Sequence, residues 1–85
     1  MDVVYVLYEH NSEGSRVYGF FKTIEAALNH GENFVKKNCG GSIRWEESVD
    51  DSNASWYLGP AAVNLMFAYV ECAVSHMYVA EVSVR

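Results

Sequence analysis

A cysteine and a histidine near the C-terminus are the residue types best suited to bind a metal ion. Cys72 and His76 are four residues apart, so on a helix they would share one face and offer a thiolate and an imidazole to zinc. The other histidines, His10 and His30, stand alone, and no second ligand pair has the spacing of a zinc motif. We therefore expect no metal ion and no cofactor.

Covalent catalysis would require a nucleophile, a base and an orienting group. Cys39 precedes two glycines, but it lies at the predicted C-terminus of a helix, where the negative end of the helix dipole disfavours a thiolate. The chain contains no Gly-x-Ser-x-Gly motif and no phosphate-binding loop with its lysine. The sequence therefore predicts a protein that is not an enzyme, and it indicates no catalytic residue.

An acidic segment with aromatic neighbours is the best candidate for a binding surface. The stretch "WEESVDD" places four carboxylates within six positions. Aromatic side chains next to charges are typical of binding hot spots, although a solvated hairpin tip with tryptophans packed on a helix explains the same pattern. The predicted partner-binding residues are Trp45, Glu46, Glu47, Asp50, Asp51, Trp56 and Tyr57.

The overall charge favours a basic partner. Eleven Asp and Glu residues oppose six Lys and Arg residues, which gives a formal net charge of −5. Direct binding of nucleic acid is disfavoured, because it requires clustered cations and only Lys36 and Lys37 are adjacent. An acidic protein is better suited to bind the basic surface of a nucleic-acid-binding protein.

Length and hydropathy predict one small domain that associates with itself. The 85 residues suffice for a single domain, 1–85, yet 51% of them are hydrophobic. Because most residues of so small a domain lie at its surface, we expect part of the apolar area to be covered in a homo-oligomer. A homodimer is the leading form. The N-terminus "MDVVYVLYEH" lacks the basic start of a signal peptide, so we expect a cytoplasmic protein with free thiols at Cys39 and Cys72.

Residue patterns predict an α+β fold with the element order ββαββαβ and no membrane-spanning segment. A helix is expected over residues 23–38, with Thr23 as N-cap and Gly40 just beyond its end. It should pack on an antiparallel sheet of about five strands. The predicted strands are residues 3–9, 16–21, 42–48, 54–58 and 77–85, and in the last of these Tyr78, Ala80, Val82 and Val84 should face the core while Val79, Glu81 and Ser83 face out.

The stretch "GPAAVNLMFAYVECAV" is shorter than the ~20 apolar residues of a membrane span and contains Glu71. A Gly-Pro start and the spacing of Asn64, Glu71 and Ser75 favour a second apolar helix over residues 59–75, with an extra strand as the alternative. A helix with so narrow a polar stripe needs cover on nearly all sides, which indicates an oligomer interface. The predicted interface residues are Leu65, Met66, Phe67, Tyr69 and Val70.

The stretch "VYVLYEHNSEGSRVYGFFKTIEAALNH" combines a strand, a polar turn, a strand ending in Gly-x-Phe and a Thr-capped helix with a Glu-x-Ala core. With "IRWEE" and the final "MYVAEVSVR", it is similar to a type of small uncharacterised phage and bacterial protein. The resemblance covers about half of the chain and assigns no functional residue. It implies a phage-type protein acting in the host cytoplasm, and residues 60–76 depart from the pattern.

Three functional hypotheses follow from these observations. The first is a non-enzymatic interaction protein that binds and modulates, as an inhibitor for example, a host or defence protein through an acidic and aromatic surface. The second is an oligomer that sequesters a nucleotide-sized molecule between aromatic side chains. The third is a small enzyme.

Overall fold

Five strands and one helix make up the part of the chain that the computed structural model describes, namely residues 2–11, 14–41, 43–47, 58–59, 61–70 and 75–84. The elements are β1 (Asp2–Asn11), β2 (Gly14–Phe21), α1 (Ile24–Cys39), β3 (Glu46–Glu47), β4 (Ala62–Val70) and β5 (Ser75–Val84). All strand pairs are antiparallel, and the order across the sheet is β2-β1-β5-β4-β3. The predicted α+β class with a five-stranded antiparallel sheet is confirmed.

The first and last strands lie side by side at the centre of this sheet. Their register runs from Asp2 opposite Val84 to His10 opposite His76. Leu7, Val79 and Ala80 have no exposed surface, as expected for central strands covered on both sides. Val79 was predicted to face outwards, and that prediction is wrong because α1 covers the face on which Val79 lies.

Helix α1 begins and ends where its capping residues predict. Thr23 has an extended backbone, and its Oγ1 accepts a hydrogen bond from the Ala26 N–H at 3.1 Å. At the other end Gly40 adopts a left-handed conformation with φ 71°, and its N–H donates to the Lys36 carbonyl at 3.2 Å. In the described residues no helix has the length and apolar character needed to cross a membrane.

The second helix predicted over residues 59–75, and with it the order ββαββαβ, is wrong. Residues 62–70 form β4 instead, which was the alternative, and the described elements follow the order ββαβββ. β4 lies between β5 and β3, with Asn64 buried on one side of the sheet and Val70 on the other. A strand buried on both faces reads as a continuous apolar run, which periodicity cannot distinguish from a buried helix.

The strand predicted over residues 42–48 is shorter in the structure. Of its described residues, 43–47, only Glu46 and Glu47 are in a ladder, and they pair with β4. Residues 54–57 of the strand predicted over 54–58 lie outside the described residues, and Leu58 is not in a strand. The acidic segment therefore pairs with the apolar segment that follows it.

Two apolar clusters lie on the two faces of the sheet. On the helix face, the face against which α1 packs, the buried cluster comprises Leu7, Ala27, Val35, Val70, Met77 and Val79. On the opposite face the buried cluster comprises Tyr8, Ala62, Tyr78 and Ala80, with Leu58, Phe67 and Val82 packed against it. Alternate residues of β1 and β5 supply the two clusters, because successive side chains of a strand point to opposite faces.

Cys39 packs at the margin of the helix-face cluster and is disulfide-bonded, so the expectation that it carries a free thiol is wrong. Cys72, the other cysteine of the sequence, lies outside the described residues. Disulfide formation depends on whether two sulfur atoms come close in the tertiary structure, which sequence spacing does not reveal.

Gly31 allows α1 to approach the sheet closely. A Cβ atom at this position would lie 2.8 Å from Cζ2 of Trp45 and 3.0 Å from Sδ of Met77. Real Cβ contacts are not that short, so either the indole ring or the helix would have to move. The glycine therefore gives up helix propensity, which costs about 1 kcal/mol relative to alanine, in exchange for packing.

We predict that Gly31→Ala destabilises the protein by about 1 kcal/mol. Overpacking costs about 1–3 kcal/mol, and the gain in helix propensity offsets about 1 kcal/mol of it. Urea denaturation followed by circular dichroism measures the free energy of unfolding. Gly41→Ala is the matched control, because a Cβ there meets no atom within 4 Å. A Gly31→Ala variant more stable than the wild type would contradict the close packing.

Candidate functional site

The pairing of β3 with β4 joins the two surfaces that the sequence predicted separately. Glu46 lies opposite Phe67, and Glu47 lies opposite Met66. Residues that pair across an antiparallel ladder lie on the same face of the sheet. Glu46 and Phe67 therefore both lie on the face that points away from α1. Glu47 accompanies Met66 on the helix face. Both glutamates are exposed, so an acidic edge borders an aromatic surface.

Four rings meet next to this edge, and we call them the aromatic–histidine cluster: Phe67, Tyr69, His76 and Tyr78. The His76 ring is the centre, with centroid distances of 6.3 Å to Phe67, 5.1 Å to Tyr69 and 6.2 Å to Tyr78. His76 is exposed and Tyr69 is 49% exposed, whereas Tyr78 is buried. We refer to Glu46 together with this cluster as the acidic–aromatic surface.

An irregularity in β4 places two of these rings on the opposite face. Asn64 lies opposite Ala80 and Phe67 lies opposite Tyr78, so the four residues 64–67 of β4 match the three residues 78–80 of β5. The extra residue reverses the alternation, as β-bulges do. Without it, Phe67 and Tyr69 would point to the helix face, and the aromatic–histidine cluster would not form.

A buried hydrogen bond holds the Tyr8 ring on which Tyr78 of the cluster stacks. The Tyr8 hydroxyl donates to Oδ1 of Asn64 at 2.6 Å, and both side chains are buried. The Tyr8 ring stacks on Tyr78 with a centroid distance of 5.2 Å and an interplanar angle of 18°. The Nδ2 atom of Asn64 has no hydrogen-bond partner among the described residues. The position of Tyr78, and with it the cluster, therefore depends on β1 and on the start of β4.

The predicted partner-binding residues do not all share this surface. Trp45 is half-buried on the helix face, where it packs against the cluster around Gly31. Trp45 therefore fits the alternative explanation, in which the tryptophan packs on the helix, better than it fits a binding hot spot. The remaining members of the predicted set lie outside the described residues: Asp50, Asp51, Trp56 and Tyr57.

The predicted oligomer-interface residues likewise divide between the two faces. Val70 is 2% exposed within the helix-face cluster, and Met66 packs against that cluster. Leu65 and Phe67 are half-buried, and Tyr69 is the most exposed of the five.

From the sequence alone, His76 was considered only as a zinc ligand. However, His76 lies two residues before Tyr78, and Phe67 lies two residues before Tyr69. This spacing places each pair on one face of a strand.

A second polar group lies on the helix face, centred on the Glu9 carboxylate. The Tyr18 hydroxyl donates to Oε1 of Glu9 at 2.8 Å, and the Ser75 hydroxyl donates to Oε2. The Arg16 guanidinium lies 5.7 Å from the centroid of the Tyr18 ring. A serine hydroxyl bonded to a carboxylate suggests a nucleophile, but Ser75 is only 2% exposed, so substrate has no access to it. The group instead links β1, β2 and β5.

Two further features of the described residues bear on ligands. No group of three or more His, Cys, Asp or Glu side chains within them has an arrangement that would hold a metal ion. A concavity of about 380 Å³ lies along the C-terminal half of α1 and is lined by His30, Asn33, Phe34, Lys37 and Asn38.

Comparisons of the chain with models of protein families, with curated proteins and with solved structures find no match.

The Tyr8–Asn64 hydrogen bond should be measurable in a double-mutant cycle. We predict that Tyr8→Phe lowers the free energy of unfolding by about 1–3 kcal/mol, because it removes the donor to a buried amide. Asn64→Leu should also destabilise, but the double variant should lose less than the sum of the two, because neither polar partner is then left behind. Urea denaturation of all four proteins gives the coupling. Strict additivity would show that the bond contributes nothing.

Tyr18 should make stability depend on pH in the alkaline range. Burial and the hydrogen bond to Glu9 raise its pKa from 10.0 to about 12. Between those values the folded state retains a proton that the unfolded state releases, so stability falls as pH rises from 10 to 12. We predict that Tyr18→Phe weakens this fall, measured as the urea midpoint against pH. Tyr69→Phe, which removes a phenol without contact to Glu9, is the control, and an unchanged slope in Tyr18→Phe would contradict the assignment.

Proposed function

We propose that this chain is a small non-enzymatic interaction protein of phage type, which binds and modulates a host or defence protein through the acidic–aromatic surface. The observation that carries the proposal is the Glu46–Phe67 pairing, because it places an exposed carboxylate at the border of the aromatic–histidine cluster. Aromatic side chains with a charged rim are the composition that protein-binding hot spots favour.

Charge indicates what kind of partner would fit. Glu46 and Glu47 are both exposed at the end of the sheet, and the whole chain has a formal net charge of −5. These charges would attract a basic surface and accelerate the encounter, while the half-exposed Tyr69 ring would supply contact area once water is expelled. A basic surface of a nucleic-acid-binding protein has this chemistry.

A second candidate function, the sequestering of a nucleotide-sized molecule, is favoured by the concavity along α1. Its volume of about 380 Å³ lies in the range of small-molecule sites. Lys37 would pair with a phosphate, and the Phe34 ring, which is half-buried, would contact a base. The acidic net charge opposes the binding of phosphates, so we place this candidate second.

Two variants of the immobilised protein in bacterial lysate test the acidic–aromatic surface, and one of them also changes the neighbouring Glu47. We predict that the double variant Glu46→Lys/Glu47→Lys and the variant Tyr69→Ala each retain at least tenfold less of the proteins that the wild type captures at low salt. Quantitative mass spectrometry of the eluates measures this loss. Glu32→Lys is the matched control, since it reverses an exposed charge on α1 and should leave capture unchanged.

Thermal melting checks that the variants are folded, which we expect because each change affects an exposed side chain. Capture of the same proteins by the wild type and by both surface variants would contradict the proposal. If capture is equal and nucleoside triphosphates raise the melting temperature of the wild type but not that of Lys37→Ala, the second candidate replaces the first.

A further inference from the structure

The outer edge of β2 is the longest free edge of the sheet in the described part of the chain. β2 is eight residues long, and within that part it pairs only with β1. Residues 14–17 are all exposed. One side of this strand therefore presents backbone N–H and C=O groups that another strand can pair with.

This edge has few of the features that protect sheet edges from pairing. β2 contains no proline, and its one charged side chain, Arg16, extends over the Tyr18 ring on the helix face. On the opposite face Val17 is 45% exposed and Phe20 is 67% exposed. An irregular register opposite Leu7 and Tyr8 brings Val17 and Phe20 to the same face, so the edge carries an apolar pair next to its free backbone.

Charge indicates that a second copy of the chain fits here. Two molecules with a net charge of −5 repel each other unless they meet where carboxylates are few. β2 contains Arg16 and no Asp or Glu, and in the sequence Glu13 precedes it and Lys22 follows it, whereas the other end of the sheet carries Glu46 and Glu47. The β2 end is therefore where two copies can approach with the least repulsion.

The length of the strand is sufficient for a stable contact. Antiparallel pairing of two eight-residue strands forms up to about eight backbone hydrogen bonds. A typical interface contains roughly 5–15 direct hydrogen bonds, so this number lies within the usual range.

We propose that two copies of this chain pair through β2, in antiparallel orientation and about a two-fold axis perpendicular to the sheet. The two sheets then become one continuous sheet, and both helices lie on the same side of it. Val17 and Phe20 of each copy meet on the opposite face and lose their exposure to water. This interface lies at the other end of the sheet from the acidic–aromatic surface, so the dimer presents two such surfaces at its ends.

Sedimentation velocity of the full chain between about 1 and 100 μM tests the dimer. The wild type should sediment as a dimer at the higher concentrations, and Val17→Lys and Phe20→Lys should each raise the dimer dissociation constant at least tenfold, because they place like charges across the axis. Val63→Lys is the matched control: Val63 is 58% exposed but lies on β4. It should leave the dissociation constant unchanged.

Hydrogen exchange of the wild type provides a second measurement that needs no variant. Amides of β2 should exchange more slowly at 100 μM than at 1 μM, while those of α1 should not change with concentration. A wild type that is monomeric at 100 μM would overturn the proposal. So would a dimer that Val63→Lys dissociates and Phe20→Lys does not. Partner capture by the monomeric Val17→Lys variant shows whether the proposed function stands independently of the dimer.

Discussion

Pairing between the first and last strands holds the centre of this molecule, and β2, β4 and α1 all attach directly to one or both of these strands, while β3 attaches through β4. β2 joins β1, β4 joins β5, and α1 lies across both. The contact is far from local, since Glu9 and Ser75, which it brings into a hydrogen bond, are 66 residues apart. Closing so long a loop costs entropy, and the complete burial of Leu7 and Val79 is the kind of apolar contact that offsets it.

The single extra residue in β4 has consequences on both faces of the sheet. It leaves Asn64 on the opposite face, in hydrogen-bonding contact with Tyr8, and still brings Phe67 to that same face. Val70, three residues later, points to the helix face and completes the cluster under α1. One irregular position therefore allows the same strand to build the helix-face core and the aromatic–histidine cluster.

The two ends of the sheet differ in charge, and this difference separates the two proposed contacts. The β3 end carries Glu46 and Glu47 beside aromatic rings, which suits a basic partner. The β2 end carries no carboxylate within its strand and exposes Phe20, which suits a second acidic copy of the same chain. Because the two ends are opposite each other, the proposed dimer would leave both acidic–aromatic surfaces exposed.

Local sequence determined α1, because the Thr23 cap and the Gly40 end act within one turn of the chain. It also determined β1 and β2, whose β-branched and aromatic residues flank a polar turn, and it identified the acidic segment that holds Glu46. The tertiary structure alone decided that residues 62–70 are a strand, because a run buried on both faces lacks a distinguishing period. It also decided that Glu46 pairs with Phe67 and that Cys39 is disulfide-bonded. Those contacts join distant positions, and the positions of their partners depend on how the whole sheet is assembled.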